Sequence, residues 1–222
     1  MTVYVPDEGW ASLSDLQNYL IPKHYKGDLE KVLIPRGLEK DVVAKLASDI
    51  KSFYGDQTVH LLCVLKGARS FHSELIDGLE EIHLRGDFCH MPYVEHFIQL
   101  KSYVDSESVD EVVVDSRDIA QLAGKHVLIV EDILDTGKTL SKLVYELKAI
   151  GALSVKIAVL VDKRTTKRIG NFSADFIAFS IPDVFVVGRG FDYNQYFRDL
   201  PHCAVLSPDA IRKYSAAADR GV

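Results

Sequence analysis

The strongest constraint on the fold comes from short apolar runs that end in charged or glycine-containing turns. Three such runs lie at residues 59–65, 126–130 and 155–161, and a fourth covers residues 176–179 together with Ile181. They are apolar almost throughout and do not alternate with polar residues, which is typical of strands covered on both faces. The sequence therefore predicts the central strands of a parallel sheet.

Two stretches between these runs, residues 41–54 and 139–150, have apolar residues at helical spacing. Their apolar stripes are formed by Val42, Leu46, Ile50 and Phe53 in the first stretch and by Leu140, Leu143, Val144 and Leu147 in the second. Gly151 follows the second stretch, where a helix C-terminus favours a left-handed residue. Strand, turn and helix in this order predict an α/β fold whose ligand site lies at the carboxyl ends of the strands.

The composition excludes several classes of protein. A chain of 222 residues with 47% hydrophobic residues suits a single α/β domain, and a net charge of -6 disfavours nucleic-acid binding. The three cysteines, Cys63, Cys89 and Cys203, are too far apart to indicate a metal pair or a disulfide framework. No apolar run approaches the roughly 20 residues that span a bilayer, and residues 1–10 lack a basic-then-apolar signal. We therefore expect a cytoplasmic protein that binds neither nucleic acid nor membranes.

Residues 127–139, VLIVEDILDTGKT, are the most specific segment of the chain. An apolar strand leads to the adjacent acids Glu131 and Asp132, and a turn then opens a helix. The residues of this turn are Asp135, Thr136, Gly137, Lys138 and Thr139. Free backbone N–H groups and the helix dipole favour a phosphate in such a turn, where a glycine permits close approach.

The two acids suit a sugar that is held beside that phosphate. Carboxylates accept hydrogen bonds from vicinal hydroxyls and help to hold a hydrated Mg²⁺. A ribose 5-phosphate would therefore satisfy both halves of the segment. The alternative of a solvated acidic turn explains poorly why acids should end an apolar strand.

A nucleotide triphosphate P-loop is a second alternative for Gly137-Lys138-Thr139. That motif needs another glycine five residues before Gly137, and this position is Asp132, whose carboxylate would face the phosphates. A P-loop-like kinase is therefore disfavoured, although ATP consumption without a purine base would support it.

In register with this motif, five further segments resemble the hypoxanthine-guanine phosphoribosyltransferase family of type I phosphoribosyltransferases. They are CVLKGA (63–68), LKSY (100–103), DKRT (162–165), IPDVFVVG (181–188) and DYNQYFRDL (192–200). The resemblance implies a type I phosphoribosyltransferase fold, with a central parallel sheet of about five strands flanked by helices and a small hood subdomain. It implies a single domain over residues 1–222, with a core at about 36–180 and a hood from about 1–35 and 181–222.

The implied reaction transfers 5-phosphoribosyl from phosphoribosyl diphosphate to N9 of a 6-oxopurine, giving IMP or GMP and pyrophosphate. The resemblance assigns Glu131 and Asp132 to the ribose hydroxyls and the 135–139 turn to the 5-phosphate. Asp135 is further placed near N7 of the purine as general base, with pure orientation of the base and helix N-capping as alternatives.

The diphosphate end of the donor is assigned to Lys66-Gly67 and Arg198. In the family the peptide before the glycine tends to be cis, which directs backbone N–H groups at pyrophosphate. Asp192 is the matched metal carboxylate, and with Glu131 and Asp132 it implies Mg²⁺ as the cofactor.

The purine is assigned to Lys163, Phe185, Val186 and Asp192. The Lys163 ammonium has only donors, so it suits O6 of hypoxanthine or guanine and leaves the amino group of adenine unpaired. Phe185 would stack on the base, and the Val186 carbonyl would accept from the guanine 2-amino group. Pairing of Asp162 with Lys163 would weaken that recognition.

Residues 101–118 are polar and acidic around a short valine run. Ser102 and Tyr103 match residues of a lid that closes over the donor and excludes water. An inert surface hairpin is the alternative.

Three positions depart from the family pattern: Ala68 replaces a second glycine, and Arg189 and Phe191 replace Tyr and Leu. Arg189 is expected to be a solvated or subunit-contact charge, and Phe191 to crowd or extend the base pocket. These departures motivate the alternative of a catalytically weak or silent nucleotide-binding protein with the same fold. The family also implies a homodimer or homotetramer.

Overall fold

The structure, a computed structural model, describes residues 2–10, 15–84, 92–105, 108–113 and 116–218, without the side chains of residues 101–105, 108–113, 116, 118 and 216–218. The strands are β1 (Val3–Tyr4), β2 (Leu29–Ile34), β3 (Val59–Leu65), β4 (Tyr93–Gln99), β5 (Lys101–Asp105), β6 (Ser108–Val113), β7 (His126–Leu134), β8 (Ser154–Lys163), β9 (Phe176–Ile181), β10 (Val186–Val187) and β11 (Cys203–Leu206). The helices are α1 (Arg36–Tyr54), α2 (Arg69–Leu84), α3 (Ser116–Ile119), α4 (Lys138–Ala149) and α5 (Pro208–Ala218), with short 3-10 turns at Leu16–Asn18, Lys23–Tyr25 and Ala120–Leu122.

A six-stranded parallel sheet forms the centre of the molecule, in the order β1-β9-β8-β7-β3-β4. Both of its faces are covered, because α1 and α2 pack on one side and α4 on the other. This burial explains why the central strands are apolar throughout. The predicted α/β class with a parallel sheet is confirmed, and the strand beyond the expected five is the two-residue β1.

The predicted strand at 59–65 is confirmed, whereas β7 and β8 extend further than the apolar runs. β7 continues through Glu131 to Leu134, because strand pairing uses backbone groups and is indifferent to the charge of the side chain. Leu134 pairs with Asp162 on β8, so both strands carry their charged residues into the ladder. The acids therefore lie within the end of a strand and not in the turn after it.

The helix predictions hold with two corrections. α1 begins at Arg36, directly after Pro35, and not at residue 41. Phe53 is not part of the buried stripe of α1, since it is 55% exposed while the next residue, Tyr54, is buried. α4 buries its predicted leucines, and Gly151 adopts the expected left-handed conformation with φ 83°.

A smaller antiparallel sheet, β10-β11-β2, packs beside the carboxyl end of the large sheet. Its strands come from the N-terminal part of the chain and from residues 186–206, the two regions expected to form the hood. Ile21, Tyr25, Phe197 and Tyr214 pack in its own apolar cluster. The exact boundary between core and hood stays a prediction.

Residues 101–113 contain an antiparallel hairpin of β5 and β6. The predicted lid residues Ser102 and Tyr103 lie in β5, and their side chains fall outside the described part of the structure. None of the helices in the described ranges combines the length and the apolar character that a membrane crossing requires.

Candidate active site

The carboxyl ends of β7 and β8 open into one cleft with two adjoining compartments. The first, of about 250 Å³, is lined by the acidic pair and the following turn, residues 131–137 with Thr139 and Leu140. The second, of about 220 Å³, is lined by Asp132, Ile133, Asp135, Lys163, Phe185, Val186, Phe191 and Asp192. The structure therefore brings the predicted sugar-phosphate residues and base residues together.

The turn after β7 has the geometry of a phosphate-binding turn. Gly137 is left-handed, with φ 83°, and occupies the N-cap of α4. A methyl group at Gly137 would lie 2.9 Å from the Phe172 ring, so the close packing also requires glycine. The backbone N–H of Ile169 donates to the Thr136 carbonyl over 2.9 Å and supports the turn from below. The alternative of Asp135 as the N-cap is wrong.

Asp135 instead pairs with Lys163. The Lys163 ammonium donates to Oδ2 of Asp135 over 3.1 Å and lies 3.7 Å from Oδ1 of Asp183. The Lys163 side chain is largely buried, whereas that of Asp135 is accessible from the cleft. An ammonium with three donors retains the capacity to bind a further acceptor in the cleft.

Asp162 does not pair with Lys163, so that expectation is wrong. Its Oδ1 accepts from the Arg168 guanidinium over 2.6 Å. The same Arg168 nitrogen donates to the carbonyls of Lys163 (2.7 Å) and Leu134 (3.3 Å). Arg168 thus joins the ends of β7 and β8 beneath the cleft and leaves Lys163 available.

Arg168 is not among the residues predicted from the sequence. The one signal in the sequence is that Asp162, at the end of an apolar strand, requires a cationic partner; several cations nearby could have filled that role.

Glu131 is buried and its neighbour Asp132 is half-buried, and backbone N–H groups donate hydrogen bonds to both. The Asp132 N–H donates to Oε1 of Glu131 (3.1 Å), and the Ile133 N–H donates to Oδ1 of Asp132 (2.9 Å). Burial and, next, the charge of Asp132 raise the pKa of Glu131. Burial also raises the pKa of Asp132, although its hydrogen bonds and Arg198 oppose this. Hydroxyl donors or a cation in the cleft would relieve the unfavourable proximity of the two acids.

The loop after β3 packs directly on this pair. A methyl group at Gly67 would lie 2.6 Å from Cγ of Asp132 and would overlap its Oδ2. The cis peptide bond joins Leu65 to Lys66, so the expected bond between Lys66 and Gly67 is wrong by one position. Ala68 is fully buried, and its carbonyl accepts from the His72 N–H at the start of α2. The methyl group of Ala68 is therefore accommodated by the loop.

The segment 188–198 closes the other side of the cleft. Asp192 and Arg198 form an ion pair of 2.7 Å, and Arg198 also donates to the Gly190 carbonyl over 2.6 Å. Arg189 is largely buried against two glutamates, so the expectation of a solvated charge is wrong, while that of a subunit contact stays a prediction. In the described part of the chain, no group of three or more His, Cys, Asp or Glu side chains is arranged to hold a metal by itself.

The wall of the base compartment is aromatic. Phe185 is 42% exposed and meets the Tyr193 ring edge-on, with centroids 5.1 Å apart. Phe191 is buried in the core and also lines this compartment. Its ring therefore forms part of the compartment wall, and whether it crowds or extends the base pocket stays a prediction.

Comparisons with known proteins define first the class and then the family. The family model described as "Phosphoribosyl transferase domain" matches residues 35–195. The chain is 45% identical over 214 residues to the hypoxanthine-guanine-xanthine phosphoribosyltransferase of Plasmodium falciparum, covering 96% of this chain and 90% of the relative. It is 43% identical over 203 residues to the human hypoxanthine-guanine phosphoribosyltransferase, covering 91% and 92%.

A solved structure of hypoxanthine-guanine phosphoribosyltransferase from Schistosoma mansoni in complex with IMP matches with a TM-score of 0.79. The two chains are 32% identical, and the match covers 96% of this chain and 98% of the other. The chain belongs to the hypoxanthine-guanine phosphoribosyltransferase family.

Proposed function

We propose that this chain transfers a 5-phosphoribosyl group from phosphoribosyl diphosphate to N9 of a 6-oxopurine. The observation that supports this most directly is the shared cleft, in which the phosphate-binding turn, the acidic pair and the Lys163–Phe185 wall adjoin. A nucleoside monophosphate has the same three parts, phosphate, ribose and base, in the same order. The relatives named above are phosphoribosyltransferases for hypoxanthine and guanine.

In the proposed reaction the C1′–O bond to pyrophosphate breaks and the C1′–N9 bond forms. The base loses a proton, and Asp135, which lies at the junction of the two compartments, accepts it. The turn at 135–139 holds the 5-phosphate through backbone N–H groups, and Glu131 and Asp132 accept from the ribose hydroxyls. Because positive charge develops at the sugar, positioning and electrostatics supply most of the catalysis.

Lys163 selects the base. Its ammonium is held by Asp135 and Asp183, and it donates to O6 of hypoxanthine or guanine. Adenine presents an amino group at that position, which would leave two donors facing each other in a buried site. Phe185 stacks on the base, and Val186 offers its carbonyl to the 2-amino group of guanine. Acceptance of xanthine, which the name of the Plasmodium relative includes, would depend on the room left in the compartment that Phe191 lines.

Mg²⁺ fits the donor set of this cleft. Glu131 and Asp132 are oxygen ligands whose mutual repulsion a cation would relieve, and Asp192 lines the adjoining compartment. Mg²⁺ prefers one or two protein carboxylates together with phosphate oxygens. One or two of the carboxylates of Glu131, Asp132 and Asp192 would therefore hold a magnesium ion together with the diphosphate, and the ion would neutralise the charge of the leaving group.

The diphosphate end would lie between the loop at Lys66-Gly67 and Arg198. The hairpin with Ser102 and Tyr103 would close over it and exclude water. A homodimer or homotetramer in the cytoplasm stays part of the proposal, and size-exclusion chromatography with light scattering measures the assembly.

Incubation of the purified protein with hypoxanthine, phosphoribosyl diphosphate and Mg²⁺, followed by chromatographic measurement of IMP and pyrophosphate, tests the function. We expect stoichiometric formation of both products, with guanine also accepted and adenine strongly disfavoured. Omission of the base and addition of a chelator are the controls. Nucleotide binding without turnover would contradict the proposal in favour of a silent protein with this fold.

A further inference from the structure

Arg189 joins two helices of the core to the turn that closes the cleft. Its Nε donates to Oε1 of Glu39 on α1 over 2.8 Å, and its Nη2 pairs with Oε2 of Glu74 on α2. Glu39 is completely buried, and the side chains of Arg189 and Glu74 are nearly so. A buried ion cluster of this kind is seldom a source of net stability, because desolvation of the charges offsets their attraction. The cluster is therefore better explained by what it positions than by net stability.

The turn that Arg189 belongs to has an unusual backbone conformation. Gly188, Arg189 and Gly190 have φ values of 90°, 55° and 104°, in the region that only glycine adopts readily. Two backbone hydrogen bonds hold the turn to the segment after it, from Arg189 N–H to the Leu200 carbonyl (2.9 Å) and from Gly190 N–H to the Arg198 carbonyl (3.3 Å). The Arg189 side chain adds the link between this turn and the helical core.

The same turn touches both parts of the proposed diphosphate site. A methyl group at Gly190 would lie 3.2 Å from the carbonyl carbon of Gly67 and closer still to its oxygen, so the two loops are in direct backbone contact. The Gly190 carbonyl accepts from Nη1 of Arg198 over 2.6 Å. Displacement of the turn would therefore move the Gly67 loop and the Arg198 guanidinium together.

We infer that Arg189 is a positioning residue for the diphosphate end of the donor: through Glu39 and Glu74 it fixes the turn that aligns Gly67 with Arg198. The inference rests on the proposed function. Arg189 is expected to act on the diphosphate end of the cleft and not on the 5-phosphate and base end. The 5-phosphate turn and Lys163 are held by Arg168 and Ile169 and not by Arg189. Loss of the Arg189 link therefore affects pyrophosphate more than IMP.

Burial raises the pKa of Glu39 to about 7, against the influence of Arg189. Removal of Arg189 alone would leave two acids without their cation in a buried site, and such a variant risks failing to fold. Two gentler variants avoid this. Arg189→Lys keeps the charge but cannot bridge two carboxylates with one planar fork. The double variant Glu39→Met with Arg189→Met removes the completely buried acid together with the cation, and it leaves only Glu74, whose side chain is 11% exposed.

The test is isothermal titration calorimetry of each variant with magnesium pyrophosphate and, separately, with IMP, alongside steady-state kinetics. We expect the double variant to weaken pyrophosphate binding roughly tenfold and to raise KM for phosphoribosyl diphosphate similarly, since a displacement of about 1 Å costs up to about a hundredfold. IMP affinity and KM for hypoxanthine should change less than about twofold, within ordinary variation between sites that are not coupled. Arg189→Lys should fall between wild type and the double variant.

Lys51→Met is the matched control. Lys51 is a buried cation in the last turn of α1, whereas Glu39 lies in the first turn. Lys51 donates to the Gly55 carbonyl over 2.7 Å and lines neither compartment of the cleft. Its loss should lower the thermal midpoint without changing the ratio of pyrophosphate to IMP affinity. Equal weakening of both ligands in the double variant, or the same ratio as in the control, would overturn the inference.

Failure of both Arg189 variants to fold would overturn it as well, because the cluster would then serve the fold and not the turn. Absence of IMP formation by the wild-type protein would refute the proposed function. The ratio of the binding constants for pyrophosphate and IMP would still test the positioning role of Arg189 separately.

Discussion

Alanine at Gly67 provides a direct measure of how tightly the proposed diphosphate loop is fitted to the acidic pair. The added methyl group would lie 2.6 Å from Cγ of Asp132 and would overlap its Oδ2. Carbon atoms in ordinary contact are about 3.5–4.0 Å apart. Either the loop or the Asp132 carboxylate must therefore move by about 1 Å, and Asp132 has little freedom because it is half-buried and accepts from the Ile133 N–H.

A displacement of about 1 Å at a reacting centre reduces the rate by about a hundredfold. We therefore expect kcat/KM for Gly67→Ala to fall by about two orders of magnitude, equivalent to about 2.7 kcal/mol in the barrier. Insertion of a methyl group into a packed region also lowers the free energy of unfolding by about 1–3 kcal/mol. The protein should still fold, since the clash lies in the loop after β3 and not between the strands of the sheet.

The assay combines steady-state formation of IMP with urea denaturation. Gly27→Ala is the matched control, because a methyl group at Gly27 would meet nothing within 4 Å; both its activity and its stability should remain close to those of the wild type. Wild-type kcat/KM in Gly67→Ala would refute the reasoning, since it would mean that the loop and Asp132 can separate without cost to catalysis.

Three other substitutions test the general base, the recognition of the purine and the buried Glu39. Asp135→Asn should lower kcat by about a hundredfold or more with the fold intact, the range for loss of a general base; unchanged turnover would exclude that role. Lys163→Ala should reduce the preference for hypoxanthine over adenine by about ten- to a hundredfold, corresponding to about 1–3 kcal/mol for an unpaired buried donor, and an unaltered ratio of kcat/KM values would remove Lys163 from base recognition. Burial raises the pKa of Glu39 from 4.5 to about 7, so the folded state binds its proton more tightly than the unfolded chain. The contribution of that proton to the free energy of unfolding should be complete below pH 4.5. As the pH rises to about 7 this contribution should be lost, which lowers the free energy of unfolding by up to about 3 kcal/mol. Glu39→Gln should flatten this slope in urea titrations over that range, and a slope equal to that of the wild type would contradict the assignment.

The site could be predicted from the sequence where its residues are close along the chain. Residues 131–139 form a strand end, a turn and a helix start, and their chemistry follows from local backbone geometry that the sequence alone specifies. The cis bond before Lys66 lies one position away from the expectation, because the family pattern locates a loop more reliably than a single peptide bond. Phe53 was assigned to the core on helical spacing, but the stripe of α1 turns so that Tyr54 is buried.

The arginines were unpredictable for a different reason. Arg189 contacts Glu39 and Glu74, which lie 150 and 115 residues away in the sequence. Nothing local distinguishes such an arginine from a solvated one, because the environment that buries it is formed by two helices from elsewhere in the chain. Arg168 is closer to Asp162, but its other partner, the Leu134 carbonyl, belongs to a different strand.

The pairing of β7 with β8 explains how the separate motifs become one cleft. Leu134 lies opposite Asp162 in the parallel ladder, so the next residues along, Asp135 and Lys163, are also neighbours. Since side chains alternate between the two faces of a sheet, adjacent residues in register project to the same face, which places the Asp135 carboxylate 3.1 Å from the Lys163 ammonium. A slip of one residue would send Lys163 to the opposite face and separate base recognition from the phosphate-binding turn. The register of two buried strands, which neither apolar run specifies alone, therefore couples the selection of the purine to the binding of the sugar phosphate.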